Sequence, residues 1–437
     1  MPEIRIDFEK SAGRIKPMHA VNNGPLPKRG DQTRDNFDTY KAAKIPYMRN
    51  HDASFCAAYG GGHTVDVHMI FPNFDADPTD PSSYDFTLTD LYMENTLAAG
   101  TKIFYRLGSK IEHEVKKYGT LVPKDFHKWA VICEHIIRHM NEGWADGHHF
   151  DIEYWEIWNE PDLGEKTWAG TKEEFFALYE TAARHLKTCF PHLKIGGPAL
   201  CGNYKWGEDF LRHMSEASPR VPLDFFSWHI YANKVESVAD RCRMTRALLD
   251  KYGYTESESI LNEYNFVLDW SPRFVESIEA IISMPGAAFT AACFLAGQNA
   301  PVDMLMYYDA RPTVFNGMWD YYTERPLKGY YPFLMFSRLY ELGTSVAVES
   351  DAMPQIWAAA AKNDAGEKAI MLSYFQYQGG EEITLTLDTG LDCAAMNLTT
   401  LDAERTMAES TLLLDGGRAK LSIMPNTVLL ITSRAAK

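Results

Sequence analysis

Two patterns of hydrophobic and polar positions run along this chain. In the first fourteen residues Ile4, Ile6 and Phe8 alternate with Arg5, Asp7 and Glu9, the period of a half-buried strand. From about 15 to 340 a different unit recurs: a short apolar run ends in polar residues, and a longer amphipathic segment follows. The runs are IKPMHAVNN, IPYMRNHD, TKIFYRLG, IEYWEIWNE, LKIGGPAL, LDFFSWHIY, SILNEYN and DMLMYYDA, eight in all. The segments between them predict helices over 34–44, 88–99, 124–141, 171–190, 208–216, 235–252, 273–298 and 328–341.

Eight strand-then-helix units over roughly 325 residues predict an α/β chain folded as a (β/α)8 barrel, a TIM barrel, with inserted loops. The rival is an open, doubly wound sheet. That fold usually carries a glycine-rich phosphate turn after its first strand, and none is present. YGGGHT (59–64) has glycines but no following Lys-Ser/Thr, so it reads as a loop or hairpin. After about 342 the text shifts to short runs spaced by about ten residues, among them TSVAVES, KAIMLSYFQYQ, EITLTLDT and TVLLITS. These predict a second, smaller antiparallel β-sandwich domain. The N-terminal strand has no place in a barrel that begins near Lys16, so it is expected to pair into that sandwich. The expected division is a barrel over 15–341 and a sandwich built from 1–14 plus 342–437.

Composition adds limits. At 46% hydrophobic and 23% charged the 437-residue chain reads as an ordinary globular protein. A net charge of −16 argues against nucleic acid or an anionic membrane surface as partner. No apolar run reaches the length of a membrane span. The seven cysteines are odd in number and form no CxxC, which argues against a disulfide framework or a zinc ribbon. MPEIRIDFEK has no apolar signal region, and with the free thiols this makes a cytoplasmic location the expectation. A homo-oligomer is left open. Aromatics reach 13%; they pack cores, and they also line sites that bind the C–H faces of sugars.

In a barrel of this kind the site lies where the strands end. Those ends carry Asn22 and Asn23; Arg49, His51 and Asp52; Arg106; Asn159 and Glu160; His229 and Tyr231; Glu263; and Tyr308, Asp309 and Arg311. Glu160 ends the fourth run and Glu263 the seventh. Two carboxylates facing each other across a barrel mouth are the minimum equipment for glycosidic cleavage: one protonates the leaving oxygen, the other attacks the anomeric carbon or activates water. Trp155 and Trp158 beside Glu160 are expected to raise its pKa by desolvation. Glu156, inside the fourth run, reads as a buried partner for Arg49 or a histidine. His135 and His139 read as a helix surface, His148 and His149 as a turn, and His63 and His68 as isolated. Neither a metal site nor a cofactor is expected.

WEIWNEPD resembles the acid/base motif of clan A glycoside hydrolases, with LNEYN supplying the second glutamate. Together with NFDADPTDPSSYDFTLTD, YRLG and FFSWHIY, in this order, the chain resembles glycoside hydrolase family 39, the family of β-xylosidases and α-L-iduronidases. The resemblance implies that Glu160 is the acid/base and Glu263 the nucleophile. It further implies that Asn159 bonds the sugar 2-hydroxyl, that His229 and Tyr231 orient the carboxylates, that Arg49 keeps Glu263 ionised, and that His51 reaches the sugar. Tyr308 and Trp319 complete the substrate-binding candidates, although Trp319 and Phe315 are equally open to a reading as loop packing. The function this implies is a retaining exo-glycosidase acting on a glycoside or oligosaccharide. A β-xylosyl or other pentosyl residue comes first as substrate. α-L-arabinofuranosidase or β-glucosidase activity is the alternative, and a non-hydrolytic carbohydrate-binding barrel is the alternative outside enzymes. Two departures bear on the sugar: ILNEYN lacks the Thr expected before the glutamate, and YYDARPTVFNGMWD is unlike a typical xylosidase loop.

Overall fold

The computed structural model describes residues 2–28, 35–52, 64–313, 315–351 and 355–433. Cys56, His63 and most of YGGGHT lie outside these. Eight parallel strands close into a barrel in chain order: β2 (Ala20–Asn22), β3 (Tyr47–Arg49), β4 (Lys102–Leu107), β5 (Tyr154–Ile157), β6 (Lys194–Leu200), β7 (Phe225–Ala232), β8 (Glu258–Phe266) and β9 (Met304–Tyr307).

Side-chain alternation sorts their residues. Ile103, Tyr105, Trp155, Ile157, Phe226, Trp228 and Leu261 face outward into the large core under the helices. Ala20, Phe104, Tyr154, Phe225, Ile260, Met304 and Met306 fill the lower barrel interior. Two positions further along the same inward face come Arg106, Glu156, Ser227 and Asn262. The barrel is therefore apolar below and polar towards the strand ends.

Helices form close to the expected spans, with one correction. The apolar stretch expected as a single helix over 273–298 is two, Phe274–Ile281 and Met284–Asn299, which meet at 76°. Pro285 has no N–H to give an upstream carbonyl and disfavours helical geometry in the residue before it, so the chain restarts there. Met284–Asn299 is buried on nearly all sides because it lies between the barrel and the second sheet: Ser373 Oγ donates to Ala288 O (2.9 Å) and Asn299 Nδ2 to Ala358 O (3.0 Å). Among the described residues no single helix is long and apolar enough to cross a membrane.

The second unit is mostly antiparallel. It comprises β1 (Glu3–Arg14), β10 (Thr344–Ser350), β11 (Ile356–Lys362), β12 (Lys368–Tyr374), β13 (Ile383–Asp388), β14 (Ala395–Leu401), β15 (Ala408–Leu413), β16 (Arg418–Ile423) and β17 (Thr427–Thr432). These nine strands form one continuous sheet, ordered β15-β14-β17-β12-β11-β10-β1-β13-β16. Strands from both ends of that order share one core, including Ile6, Leu372, Leu387, Met396 and Leu421, so the layers of the sandwich are joined by hydrogen bonds as the sheet wraps round it. β1 lies within this sheet, antiparallel to β10 and parallel to β13.

Candidate active site

Local backbone devices aim the two glutamates. In β8 the register against β7 slips between Trp228↔Leu261 and His229↔Glu263, which leaves Asn262 as an extra residue. Such a bulge turns two consecutive side chains to one side. Asn262 Nδ2 donates to Glu156 Oε1 (2.5 Å), and Glu263 accepts from Arg49 Nη1 (2.7 Å) and from the Tyr231 hydroxyl (2.8 Å). Without the bulge one of the pair would face the helices.

Glu160 is aimed by a left-handed backbone. Its φ is 49°, directly before Pro161, where a residue normally takes an extended conformation. Its N–H donates to Ala199 O (2.9 Å) and its carbonyl accepts from Thr167 Oγ1 (2.6 Å), which holds the turn. Trp158 is also left-handed, at φ 75°. Gly108 allows this: a Cβ there would come within 2.9 Å of Trp158 Cα.

The carboxylates sit in one network. Arg49 is fully buried and spends its fork on four groups: Nε on Glu156 Oε2 (2.6 Å), Nη1 on Asn22 Oδ1 (3.1 Å) and Glu263 Oε1, and Nη2 on Asn159 Oδ1 (2.7 Å). Burial opposes its charge, but the Glu156 and Glu263 carboxylates outweigh this and keep it charged. His229 Nδ1 is 2.7 Å from Glu160 Oε1 and 3.5 Å from Glu263 Oε2. An oxygen of Glu160, one of Glu263 and a nitrogen of His229 all lie within 4.8 Å of one another. That spacing would also suit a metal, but the Arg49 guanidinium already occupies Glu263 and repels a cation. His51 Nε2 stands 3.9 Å from Glu263 Oε1.

One expectation is corrected here. Burial pushes Glu160 up, yet the His229 hydrogen bond and charge, with Cys201 and Arg49, outweigh it and hold its carboxyl below the usual value. Glu263 moves the other way. Burial raises it and so does the Glu160 charge, against His229, Arg49 and Tyr231. His229 is itself raised, because Glu263 and Glu160 outweigh its burial. The indoles of Trp155 and Trp158 were expected to leave Glu160 protonated; the imidazole across the barrel reverses that in the free site.

The remaining residues divide. The Tyr308 hydroxyl donates to Asp52 Oδ2 (3.0 Å). Arg311 pairs with Asp52 (3.2 Å) and Asp309 (3.3 Å), and Asn23 Nδ2 donates to Asp309 Oδ2 (2.8 Å). Burial, opposed by Arg311, pushes Asp309 up to about 7. Trp319 is not brought to the site. It is 0% exposed, its indole N–H donates to Thr39 Oγ1 (2.8 Å) and its ring stacks on Tyr40, so no face is left for a sugar. Phe315 does reach the mouth, 6.0 Å from Tyr231 and 5.9 Å from Tyr308. Trp270, absent from the sequence candidates, is 58% exposed with its ring 5.0 Å from Tyr231. The signal that could have found it is an aromatic in DWSPRF, directly after a strand carrying a carboxylate. Asp162 of the WNEPD motif has a structural role, accepting from the backbone N–H groups of Cys201, Gly202 and Asn203. A separate cavity of about 310 Å³, lined by Phe71, Phe74, Tyr118, Trp129 and Trp158, touches neither Glu160 nor Glu263.

A sequence model of the glycosyl hydrolases family 39 matches residues 3–260. The chain belongs to glycosyl hydrolase family 39. Against a β-xylosidase of Geobacillus stearothermophilus this family 39 chain is 28% identical over 235 residues, 47% of its own length and 46% of the relative's. The match thus spans about half the length of that relative. Its fold is similar over 100% of both chains to a glucosidase from Croceicoccus marinus (TM-score 0.80, 22% identity) and to a monomeric β-xylosidase from Caulobacter crescentus (TM-score 0.71, 18% identity).

Proposed function

We propose that this family 39 chain is a retaining exo-glycosidase. The observation that carries the reading is the Glu160–Glu263 pair, with an oxygen of each within 4.8 Å of the other. Retaining glycosidases hold their carboxyls about 5–5.5 Å apart, and inverting ones leave about 6.5–9.5 Å for a water.

In this mechanism Glu263 attacks the anomeric carbon while the glycosidic C–O bond breaks. Glu160 delivers the proton that the leaving oxygen takes up. The Glu160–His229 hydrogen bond supplies that proton: a raised imidazolium and a lowered carboxylate share it across 2.7 Å. The product of this half is a glycosyl ester of Glu263. Its formation removes the negative charge Glu160 faced. Glu160 then takes a proton from water, which attacks the same carbon from the leaving side, and Glu263 departs. Two inversions give retention. Arg49 fixes Asn159 so that its Nδ2, buried and without a partner among the described residues, is free for a ligand acceptor; the sugar 2-hydroxyl is our assignment.

For the sugar we favour a terminal β-xylosyl or other pentosyl residue, supported by the likeness to a β-xylosidase. A glucosyl residue is the second reading, supported by the fold similarity to a glucosidase and by a strand-eight loop unlike a typical xylosidase's. A panel of aryl glycosides, with NMR of the first-formed anomer, tests sugar and stereochemistry together. Release of the inverted anomer would overturn the mechanism, and turnover of no glycoside would overturn the activity.

A further inference from the structure

The sequence presents His139 and His148 as unrelated, one on a helix and one in a turn. The fold brings both to a single carboxylate. Asp90 lies in the first turn of helix Thr87–Ala98, and His139 in the last turn of helix Phe126–Glu142. Asp90 Oδ2 is 3.3 Å from His139 Nε2 and 3.3 Å from His148 Nε2, and Asp90 Oδ1 is 3.0 Å from His139 Nε2. None of these residues belongs to the network round Glu160 and Glu263.

The turn after the helix is built for this approach. His148 N donates to His139 O (2.6 Å), folding the 143–149 segment back on the helix. Gly147 is needed there: a Cβ would lie 2.2 Å from His139 O and 2.7 Å from His139 Nδ1. The Phe86 ring lies parallel to the His139 imidazole at 3.5 Å and fixes its plane.

Hydrogen-bond bookkeeping then points to a cation. His139 Nδ1 stands 2.8 Å from Trp144 O, a carbonyl that only accepts, so Nδ1 carries the proton. In the neutral ring Nε2 is a lone pair, and it faces a carboxylate at 3.0 Å. His148 Nε2 is buried and makes no hydrogen bond among the described residues. One ligand atom from each of Asp90, His139 and His148 lies within 4.8 Å of the other two, near enough for one ion to reach all three. One divalent cation serves both lone pairs and the carboxylate. Ligand atoms about 2.1 Å from a tetrahedral zinc lie about 3.4 Å apart, close to the 3.3 Å spacing of Asp90 Oδ2 from each imidazole. The Trp144 carbonyl on His139 Nδ1 is the outer partner such ligands need. Glu94 Oε1, 3.9 Å from His148 Nδ1, stands on the corresponding side of the second ring.

We propose that Asp90, His139 and His148 form a structural zinc site that ties two helices of the outer ring together, with water as fourth ligand. Two imidazoles and a carboxylate suit zinc, which accepts nitrogen and oxygen donors in four-coordinate geometry.

The test uses the full chain, stripped with a chelator and titrated with Zn²⁺ against a competing chromogenic chelator. Wild type should bind one equivalent. H148Q and D90N should bind roughly a hundredfold more weakly or not at all. H185Q and E160Q, which disable the other two groups of suitable spacing among the described residues, should bind as wild type does. Cobalt(II) in place of zinc should give the visible ligand-field absorption of a four-coordinate site, again only where Asp90 and His148 remain. The thermal midpoint should rise with zinc in the same chains. His148 and Asp90 are partly exposed, so their variants should keep the fold. No zinc bound by wild type, equal binding in H148Q, or loss in H185Q instead would each overturn the proposal.

Discussion

Arg49 Nη1 stands 2.7 Å from Glu263 Oε1, and both side chains are buried. A single guanidinium thus joins the proposed nucleophile to Glu156, Asn22 and Asn159. Breaking a buried ion pair from one side leaves charge without compensation, at about 3–5 kcal/mol. R49M is therefore expected to destabilise the fold by about that amount, measured by denaturant unfolding. E156Q in the R49M background should recover part of the loss, because one stranded charge is removed. Equal loss in single and double variants would show that the two are not coupled.

The two glutamates should separate by leaving group. E263Q is expected to lose roughly a thousandfold or more in kcat on every glycoside, since no covalent half-reaction remains. E160A should lose about 10²–10⁴-fold on poor leaving groups and much less on activated aryl glycosides, with azide restoring turnover of the latter. An E160A rate independent of leaving group would remove Glu160 from the acid/base role.

The pH profile of kcat/KM follows from the His229 bridge. Glu263 must be ionised to attack and its pKa is raised, so the acid limb lies above the ordinary value of about 4.3. The proton shared by Glu160 and His229 is lost on the other limb, and His229 is raised, so that limb lies above about 6.5. H229Q removes a group that lowers Glu263, and it leaves Glu160 as sole holder of the proton. The bell should narrow from both sides. An unchanged width would contradict the shared proton.

Asp309 should leave a signature in stability. Its folded pKa is raised to about 7, so between about 4 and 7 the folded chain holds a proton that the unfolded chain has released. The stability this contributes is complete below about 4 and is lost as pH rises through about 7. D309N stays neutral throughout and keeps an acceptor for Asn23. Its unfolding free energy, measured with denaturant, should fall less than that of wild type over this range, a difference on the order of a few kcal/mol. Parallel curves would mean that Asp309 is ionised in the fold.

Trp270 should hold the place at the substrate that the sequence offers to Trp319. W270A is expected to raise KM roughly three- to tenfold, with a smaller change in kcat and little in stability. W319A opens a cavity in a closed core and should cost about 3–5 kcal/mol of stability, with KM of the folded protein unchanged. A raised KM in W319A would return that ring to the substrate.

Much of this was legible in the sequence. Eight apolar runs at strand length, each ending in polar residues, carry the barrel and the place of its mouth, because strand period and side-chain alternation are local properties. Pro285 marks a break just as visibly, but the apolar text runs straight through it, so periodicity alone predicts one helix there. Trp319 shows the limit from the other side. Nothing in NGMWD distinguishes a ring that stacks on Tyr40 from one that faces a sugar; the partner lies 279 residues back (319 − 40).

By itself the sequence placed Glu160 just past barrel strand four and Glu263 on strand seven, with Arg49 at the end of strand two and Tyr231 on strand six. What it left undecided depends on atoms from other strands. The bulge that turns Asn262 and Glu263 the same way exists only in the register of β8 against β7. The direction of the Glu160 shift hangs on an imidazole sixty-nine positions away (229 − 160), at 2.7 Å. His139 and His148 acquire a common partner only when two helices pack. Periodicity is written along the chain, whereas charge pairing and desolvation are fixed by distances that only the closed barrel sets.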